Sequence, residues 1–442
     1  MAHFAFVAPP LPGHYEPLQA VAAELVRRGH RATFVHRPDA AALVRTPGIG
    51  FVAVGAASHP PGSLRTATAR MARLHGVFGL RAVLADVARA TDMLCRELPS
   101  ALRTLGVDAV VADQTEPAGA LVAAHLRLPV VSTATALPLN RDPDLPPPFV
   151  DWPCDASGHG RRRAAAGWRV SDWLMRPIDA VIGSHASAWG LGARRGEDCY
   201  AHTVQLAQAI AELDYPRAAL PPGFEYLGPF RAGPAPAGDA SALHGLVDPL
   251  DARPLVFCSL GTLQGSRAGL FARIARAATR LEVRLVIAHG GLLSDAQAAA
   301  LPGRPIVRAF VPQRALLRHA ALAVTHAGFN TVLDALACGV PMVAIPLAFE
   351  QPATAARLRR VGAARMLSAR WSTARRLAAA MRDVLETPGY RAAAARLQAR
   401  IEAAPGARGA ADVIESIAAA AGATTARRDG DGARGDSRNE SR

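Results

Sequence analysis

Short apolar runs alternate with segments of helical period along this chain, and the alternation happens twice. Residues 3–8 form an apolar strand, 9–13 a turn, and 14–28 an amphipathic helix that ends at Gly29. Further apolar runs at 31–36 and 51–54 predict a second and a third strand. Residues 66–105 have helical spacing; 108–112 and 128–132 read as buried strands. The proline-rich stretch 137–159 predicts a long loop, and 160–215 predicts helices. The rhythm then restarts. Strands are expected at 254–259, 284–288, 306–309, 321–324 and 340–345, with a helix over 268–280 and helices onward to about 421. Strand–turn–helix–strand repetition of this kind predicts the α/β class, as two Rossmann-like, doubly wound domains facing across a cleft.

The boundaries follow composition. Residues 1–230 form the first domain, and 231–253, rich in Ala, Gly and Pro, the linker. Residues 254–421 form the second domain. The tail 422–442 has no apolar periodicity and is expected to be disordered.

Composition narrows the chemistry. Of the 442 residues, half are hydrophobic and only 5% aromatic, so the core is built largely from Ala, Val and Leu. The net charge of +14 raises nucleic acid or an anionic membrane as partners. The charges are scattered and no stripe alternates Arg with aromatics, which argues against nucleic acid. Every Lys-or-Arg position is Arg; the chain has no lysine. That excludes Schiff-base chemistry and the Walker A lysine. Cys95, Cys154, Cys199, Cys258 and Cys338 are dispersed, with no metal-ligand spacing, as expected in a reducing cytoplasm. The start MAHFAFVAPP lacks the basic segment of a signal peptide, and no apolar run is long enough to span a membrane. The turn PPLPGH has one glycine where a dinucleotide fingerprint needs three, which disfavours NAD and FAD.

The most informative stretch is 310–351. An apolar strand runs into THAGFNTVLDAL (325–336), where small residues open a helix. A helix N-terminus after a strand presents unpaired N–H groups and the positive end of the dipole, so it is an anion site. In the first half, His14 follows the first strand and Asp113 ends another. A histidine whose tautomer is fixed by a carboxylate is suited to take a proton near neutral pH. The plainer readings stand beside these: His14 as a helix-start residue, Asp113 as a turn cap with Glu116 as its rival. Trp168, Trp173 and Trp189 are core residues or acceptor-lining ones. Arg161, Arg162 and Arg163 are a solvated face or a contact with anionic lipid.

The motifs FVPQ (310–313), HAGFNTVLDAL (326–336), GVPMVAIPLAFEQ (339–351) and CSLGT (258–262) resemble glycosyltransferase family 1, whose members use nucleotide-diphosphate sugars on the GT-B fold. FVAPPLPGH, AELDYPR, YLGPF and PLAFEQPATAARL are similar to that family's bacterial carotenoid branch, from about Ala2 to about Gly362. The resemblance implies an inverting transfer of glucose from UDP-glucose to a hydrophobic hydroxylated acceptor, a carotenoid such as zeaxanthin, giving a β-glucoside. It implies a first domain that binds the acceptor and a second that binds the donor. Phe310 would stack on the base, with Val311 and Gln313 at its edge. His326, Gly328, Asn330 and Thr331 would hold the diphosphate, Ser259 and Thr262 would approach it from the facing turn, and Asp334 would meet the ribose. Glu350 and Gln351 would grip the sugar. His14 would be the base and Asp113 its orienting carboxylate. Neither metal nor cofactor is implied, because N–H groups and His326 meet the charge on the departing diphosphate. Peripheral contact with the inner face of a membrane would suit such an acceptor. The alternatives are transfer to another lipid or polyketide from a UDP- or dTDP-sugar, a nucleotide-sugar epimerase, or a non-catalytic binding protein.

Overall fold

The computed structural model describes the chain outside residues 74–75, 202–203, 219, 232–242, 249, 262–267, 292 and 437–442; the side chains of 71–79, 201 and 422–436 are also outside the description. Among the described residues thirteen strands form two parallel sheets. The first contains β1 (His3–Val7), β2 (Arg31–His36), β3 (Gly50–Ala53), β4 (Ala109–Asp113), β5 (Val130–Ala134), β6 (Val204–Ala207) and β7 (Phe224–Tyr226). Its order is β3-β2-β1-β4-β5-β6-β7. The second contains β8 (Leu255–Ser259), β9 (Arg284–Ala288), β10 (Ile306–Arg308), β11 (Ala320–Thr325), β12 (Met342–Ala344) and β13 (Ala364–Met366). Its order is β10-β9-β8-β11-β12-β13. In each sheet the order reverses beside the first strand, between β1 and β4 and between β8 and β11. Crevices at such reversals are where ligands of open α/β sheets bind.

The central strands read as unbroken apolar runs because both faces are covered. In β1, Phe4 and Phe6 enter one core with Tyr15, Leu18 and Phe34, while Ala5 and Val7 enter another with Leu94, Leu98 and Ile182. The helices Gly76–Leu105, Pro117–Leu126 and Gly158–Ala188 cover the second of these faces. The second sheet is sandwiched in the same way.

Three features differ from the expectations. The strands β6 and β13 fall where helices are expected, within 160–215 and after residue 345, and β7 lies in a stretch without a strand pattern. VQLA and FEY carry polar residues, and ARM is only three residues long at a sheet edge. Second, the last helix, Gly406–Asp436, runs past residue 421. Third, this helix does not belong to the second domain. Its Ala407, Ala410, Ala411 and Ile414 bury against Leu18, Leu25 and Phe230 of the first. Arg28 fastens it by donating to Asp412 at 2.6 Å and Glu415 at 2.5 Å. Local periodicity marks such a helix but not the sheet that it covers.

The domains meet below the cleft through Ala134, Leu137, Ile210 and Leu213 on one side and Ala327, Phe329 and Leu333 on the other. A buried ion pair crosses the same junction. Asp214 accepts from Arg357 at 2.7 Å and, within its own domain, from Arg217 and Tyr226, each at 2.8 Å. Among the described residues no helix is long and apolar enough to cross a membrane.

Candidate active site

The C-terminal edges of both sheets open onto one cleft of ≈ 2150 Å³. His14, Thr115 and Thr135 reach it from the first domain. Ser259, Phe310, Gln313, His326, Gly328, Asn330, Thr331, Asp334, Glu350 and Gln351 reach it from the second. The predicted residues on both halves are thus brought together. Thr262 lies outside the described residues.

His14 sits in the first turn of the helix Pro12–Arg27, directly after β1. Asp113 ends β4, the strand beside β1. The pairing puts the carboxylate under the imidazole: His14 Nδ1 is 3.2 Å from Asp113 Oδ2. Asp113 is 2% exposed, yet it stays ionised because its oxygens are satisfied. The backbone N–H of Thr115 donates to Oδ1 at 2.9 Å, the Thr115 hydroxyl donates to the same oxygen, and the Thr135 hydroxyl donates to Oδ2. Burial alone would raise this carboxyl, but His14 and the two threonines outweigh it and the pKa falls below the ordinary value. For His14, burial opposes the charged ring. The Asp113 charge, helped by Glu350 and Glu116, prevails and raises the pKa above the ordinary 6.5. Glu116 is not the partner: it accepts from Thr91 at 3.1 Å and lies 3.8 Å from His36 Nε2.

Across the cleft, β11 ends at Thr325, in register with Ser259 at the end of β8. That register sets His326 against the turn after β8. A Cβ on Gly261 would stand 2.7 Å from His326 Nε2, and one on Gly328 only 2.3 Å. A side chain at either position would have to push the His326 ring aside, and Gly261 also has a φ of +78° that favours glycine. Ala327, between His326 and Gly328, is held at φ 64°, a strained conformation for a residue with a side chain. Burial depresses the His326 pKa to about 4, although a hydrogen bond with the Ser259 backbone opposes this, so the ring is neutral near pH 7. Among the described residues its Nδ1 has no partner. The helix Phe329–Ala337 follows, with no side chain capping its N-terminus, so its first N–H groups are available to an anion.

Phe310 is 70% exposed on the cleft wall, beside the turn at Gly291, and offers an open ring face. Val311 is part-buried against the core. Gln313 donates to Asp334 at 2.8 Å and accepts from Thr331 at 3.5 Å. Glu350 stands at the start of the helix Gln351–Arg360 without capping it through its side chain; burial raises its carboxyl above the ordinary value, against the pull of its own backbone N–H and of His14. Gln351 uses its side-chain oxygen to hold the preceding loop, accepting from Leu347 and Ala348 N–H, each at 2.9 Å. Its amide nitrogen is the part left for a ligand.

Two assignments change in detail. Asn330 faces the other domain as well as the helix start: its amide donates to the Gly13 carbonyl at 2.8 Å. Asp334 is already engaged, by Arg231 at 2.8 Å and by Gln313. Arg231 also bonds the Asn330 carbonyl at 3.2 Å, and Gln208 donates to Asn330 Oδ1 at 3.0 Å. The sequence reading missed Thr115, Thr135, Gln208 and Arg231. Three of them sit just past a strand end at the cleft edge, which is the signal that would have found them. Trp168 lines the cleft and donates to the Leu145 carbonyl at 2.9 Å, whereas Trp189 stacks on His125 away from it. Among the described residues no three His, Cys, Asp or Glu side chains gather as metal ligands.

A family profile described as UDP-glucoronosyl and UDP-glucosyl transferase matches residues 191–404. The chain is 42% identical to a zeaxanthin glucosyltransferase of Pantoea ananas over 94% of its own length and 96% of that protein's. It is 40% identical to a zeaxanthin glucosyltransferase of Pseudescherichia vulneris over 90% and 94%. The chain belongs to the UDP-glycosyltransferase family. A solved glycosyltransferase of kitacinnamycin superposes with a TM-score of 0.74 at 22% identity, covering 94% of this chain and 99% of that one. The calicheamicin glycosyltransferase gives 0.72, also at 22% identity, covering 94% and 98%. These neighbours support the GT-B architecture of the two facing sheets. As a UDP-glycosyltransferase the chain is an enzyme that moves a sugar from a nucleotide donor to an acceptor. The cleft between its domains has room for both.

Proposed function

We propose that this transferase moves glucose from UDP-glucose to the ring hydroxyl of a carotenoid such as zeaxanthin, inverting the anomeric carbon to a β-glucoside. The observation that carries the reading is the His14–Asp113 pair, 3.2 Å apart, at the mouth of a cleft whose opposite wall is an uncapped helix N-terminus. The similarity at 42% and 40% identity to zeaxanthin glucosyltransferases supports the acceptor. His14 Nε2 takes the proton of the attacking hydroxyl. The N–H groups from Phe329 onward, with His326 and Ser259, receive the charge that grows on the leaving diphosphate. Phe310 stacks on the uracil, with Val311 and Gln313 at its edge. Asp334 accepts from the ribose, and Glu350 and the Gln351 amide bind the hexose. The donor is a co-substrate, and the reading assigns neither metal nor cofactor.

The same reading sets the enzyme peripherally at the inner face of a membrane, where a carotenoid acceptor resides. A net charge of +14 favours anionic headgroups. Purified protein incubated with zeaxanthin and UDP-glucose should yield the β-glucoside and UDP. Turnover of another alcohol with none of zeaxanthin would overturn the acceptor. Co-flotation with anionic but not neutral vesicles tests the membrane contact.

A further inference from the structure

The closest partner of the His14 imidazole is not the Asp113 carboxylate. Thr135 Oγ1 lies 2.7 Å from Nδ1, against 3.2 Å for Asp113 Oδ2 and 3.4 Å for Thr115 Oγ1. We propose that Thr135 positions the base and fixes its tautomer jointly with Asp113, its hydroxyl touching both His14 Nδ1 and the carboxylate. This rests on the reading of His14 as the base.

Protons decide the arrangement. An ionised carboxylate only accepts, and a hydroxyl has one proton to give. Thr135 Oγ1 touches both Asp113 Oδ2 and His14 Nδ1. The carboxylate is the stronger acceptor, so the Thr135 proton points to it. The lone pairs of Oγ1 then face Nδ1, and a bond there requires Nδ1 to carry the hydrogen. That leaves the lone pair of the neutral ring on Nε2, where an acceptor hydroxyl would meet it. Nothing is transferred along this chain: the proton on Nδ1 stays in place throughout the reaction. The opposite tautomer would put a hydrogen on Nε2, set the Nδ1 lone pair against the Asp113 carboxylate at 3.2 Å, and pull the Thr135 proton away from that carboxylate.

The position of Thr135 is itself fixed. It is 2% exposed and directly follows β5, whose Thr133 pairs in register with Asp113. Gln208 holds it from beyond: the Gln208 N–H donates to Ala134 O at 3.1 Å, and its side-chain amide donates to Thr135 O. The same amide donates to Asn330 Oδ1 at 3.0 Å. The hydroxyl is thus braced from the donor side of the cleft as well as from its own sheet.

The test compares Thr135→Val, which keeps the shape and loses the hydroxyl, with Thr135→Ser, which keeps the hydroxyl. Thr135→Ala replaces the valine variant should that not fold. Expected are a fall in kcat of about 10- to 100-fold for valine or alanine with donor KM within about twofold, and near-wild-type turnover for serine. Nitrogen-15 NMR of the histidines, with His14 assigned by difference against His14→Gln, should show a single Nδ1–H tautomer in the wild type and a mixture without the hydroxyl. Combining Thr135→Val with Asp113→Asn should cost little more than the larger single loss. Serine as impaired as valine, an unchanged tautomer, or losses that multiply would overturn the proposal. His14→Ala separates the two readings: full acceptor-dependent UDP release in that variant removes the base itself, whatever Thr135 does.

Discussion

The side-chain amide of Asn330 donates to the backbone carbonyl of Gly13 across the cleft at 2.8 Å, so the start of the donor-side helix holds the residue next to the base. The other end of the same amide accepts from Gln208 at 3.0 Å and Arg231 at 3.3 Å. One side chain therefore ties together both walls of the cleft and Arg231, which follows β7. Each lost hydrogen bond of this kind is worth about 1 kcal/mol. Asn330→Ala should lower kcat by about tenfold or more, because base and donor are no longer held in one register. Steady-state kinetics with each substrate varied in turn checks this. Unchanged kcat with only donor affinity altered would mean that Asn330 serves the diphosphate alone.

The open ring of Phe310 predicts a different split. At 70% exposure it contributes little to folding, so Phe310→Ala should leave the melting temperature nearly unchanged. Base stacking on an aromatic is worth about 1–3 kcal/mol. Donor KM should then rise from about fivefold to a hundredfold, while acceptor KM holds. Phe310→Trp should keep or tighten donor binding. Calorimetric titration with UDP reads the effect directly, and an equal loss for both substrates would contradict the stacking assignment.

The raised pKa of His14 fixes the sign of the pH dependence. The base works only when neutral, so kcat/KM should climb with pH through a limb placed above the ordinary 6.5. Asp113→Asn removes the largest of the influences that raise it. The limb should move to lower pH while the plateau falls by about 10²- to 10⁴-fold. His326, held near 4 by burial, does not titrate across this range and should add no second limb. A limb that stays where it is in Asp113→Asn would show that another group controls the proton.

How much of this was legible in the sequence differs from element to element. The strands beside each crevice are apolar on both faces, so β1, β4, β8 and β11 declared themselves, and with them His14, Asp113, Ser259 and His326 at their ends. Edge strands such as β7 and β13 are short and half-solvated, and gave no such pattern. The assignment of the last helix to the first domain depends on Arg28 meeting Asp412 and Glu415, nearly the whole chain apart. Its place after a strand marks Thr135 as a cleft-edge residue, but its role, like that of Arg231, is hidden for a related reason. A threonine or an arginine after a strand is common, and only the register of neighbouring strands turns it towards a histidine or an aspartate. The sequence named Asp214 within AELDYPR only as wording; its role appears once Arg357 closes on it from the other domain.

That closure predicts the acid behaviour of the protein. Asp214 is fully buried between Arg217 and Arg357, with the Arg357 guanidinium 4.2 Å over the Tyr215 ring. Burial alone would raise its pKa. The two arginines prevail and bring it from 3.8 down to about 2. A carboxyl depressed on folding stabilises the native state above its unfolded pKa and loses that contribution as pH falls through the folded one. The gap is worth about 2 kcal/mol at neutral pH, lost progressively between about pH 4 and pH 2. Asp214→Asn should destabilise by about 3–5 kcal/mol, since it leaves two guanidinium groups buried without their counter-charge. Urea midpoints at pH 7 and pH 3 separate the contributions: the variant should lie far below the wild type at pH 7 and closer to it at pH 3. Joint replacement, Asp214→Leu with Arg217→Met and Arg357→Met, should recover part of the loss. An Asp214→Asn variant as stable as the wild type at pH 7 would show that the junction holds through its apolar contacts alone.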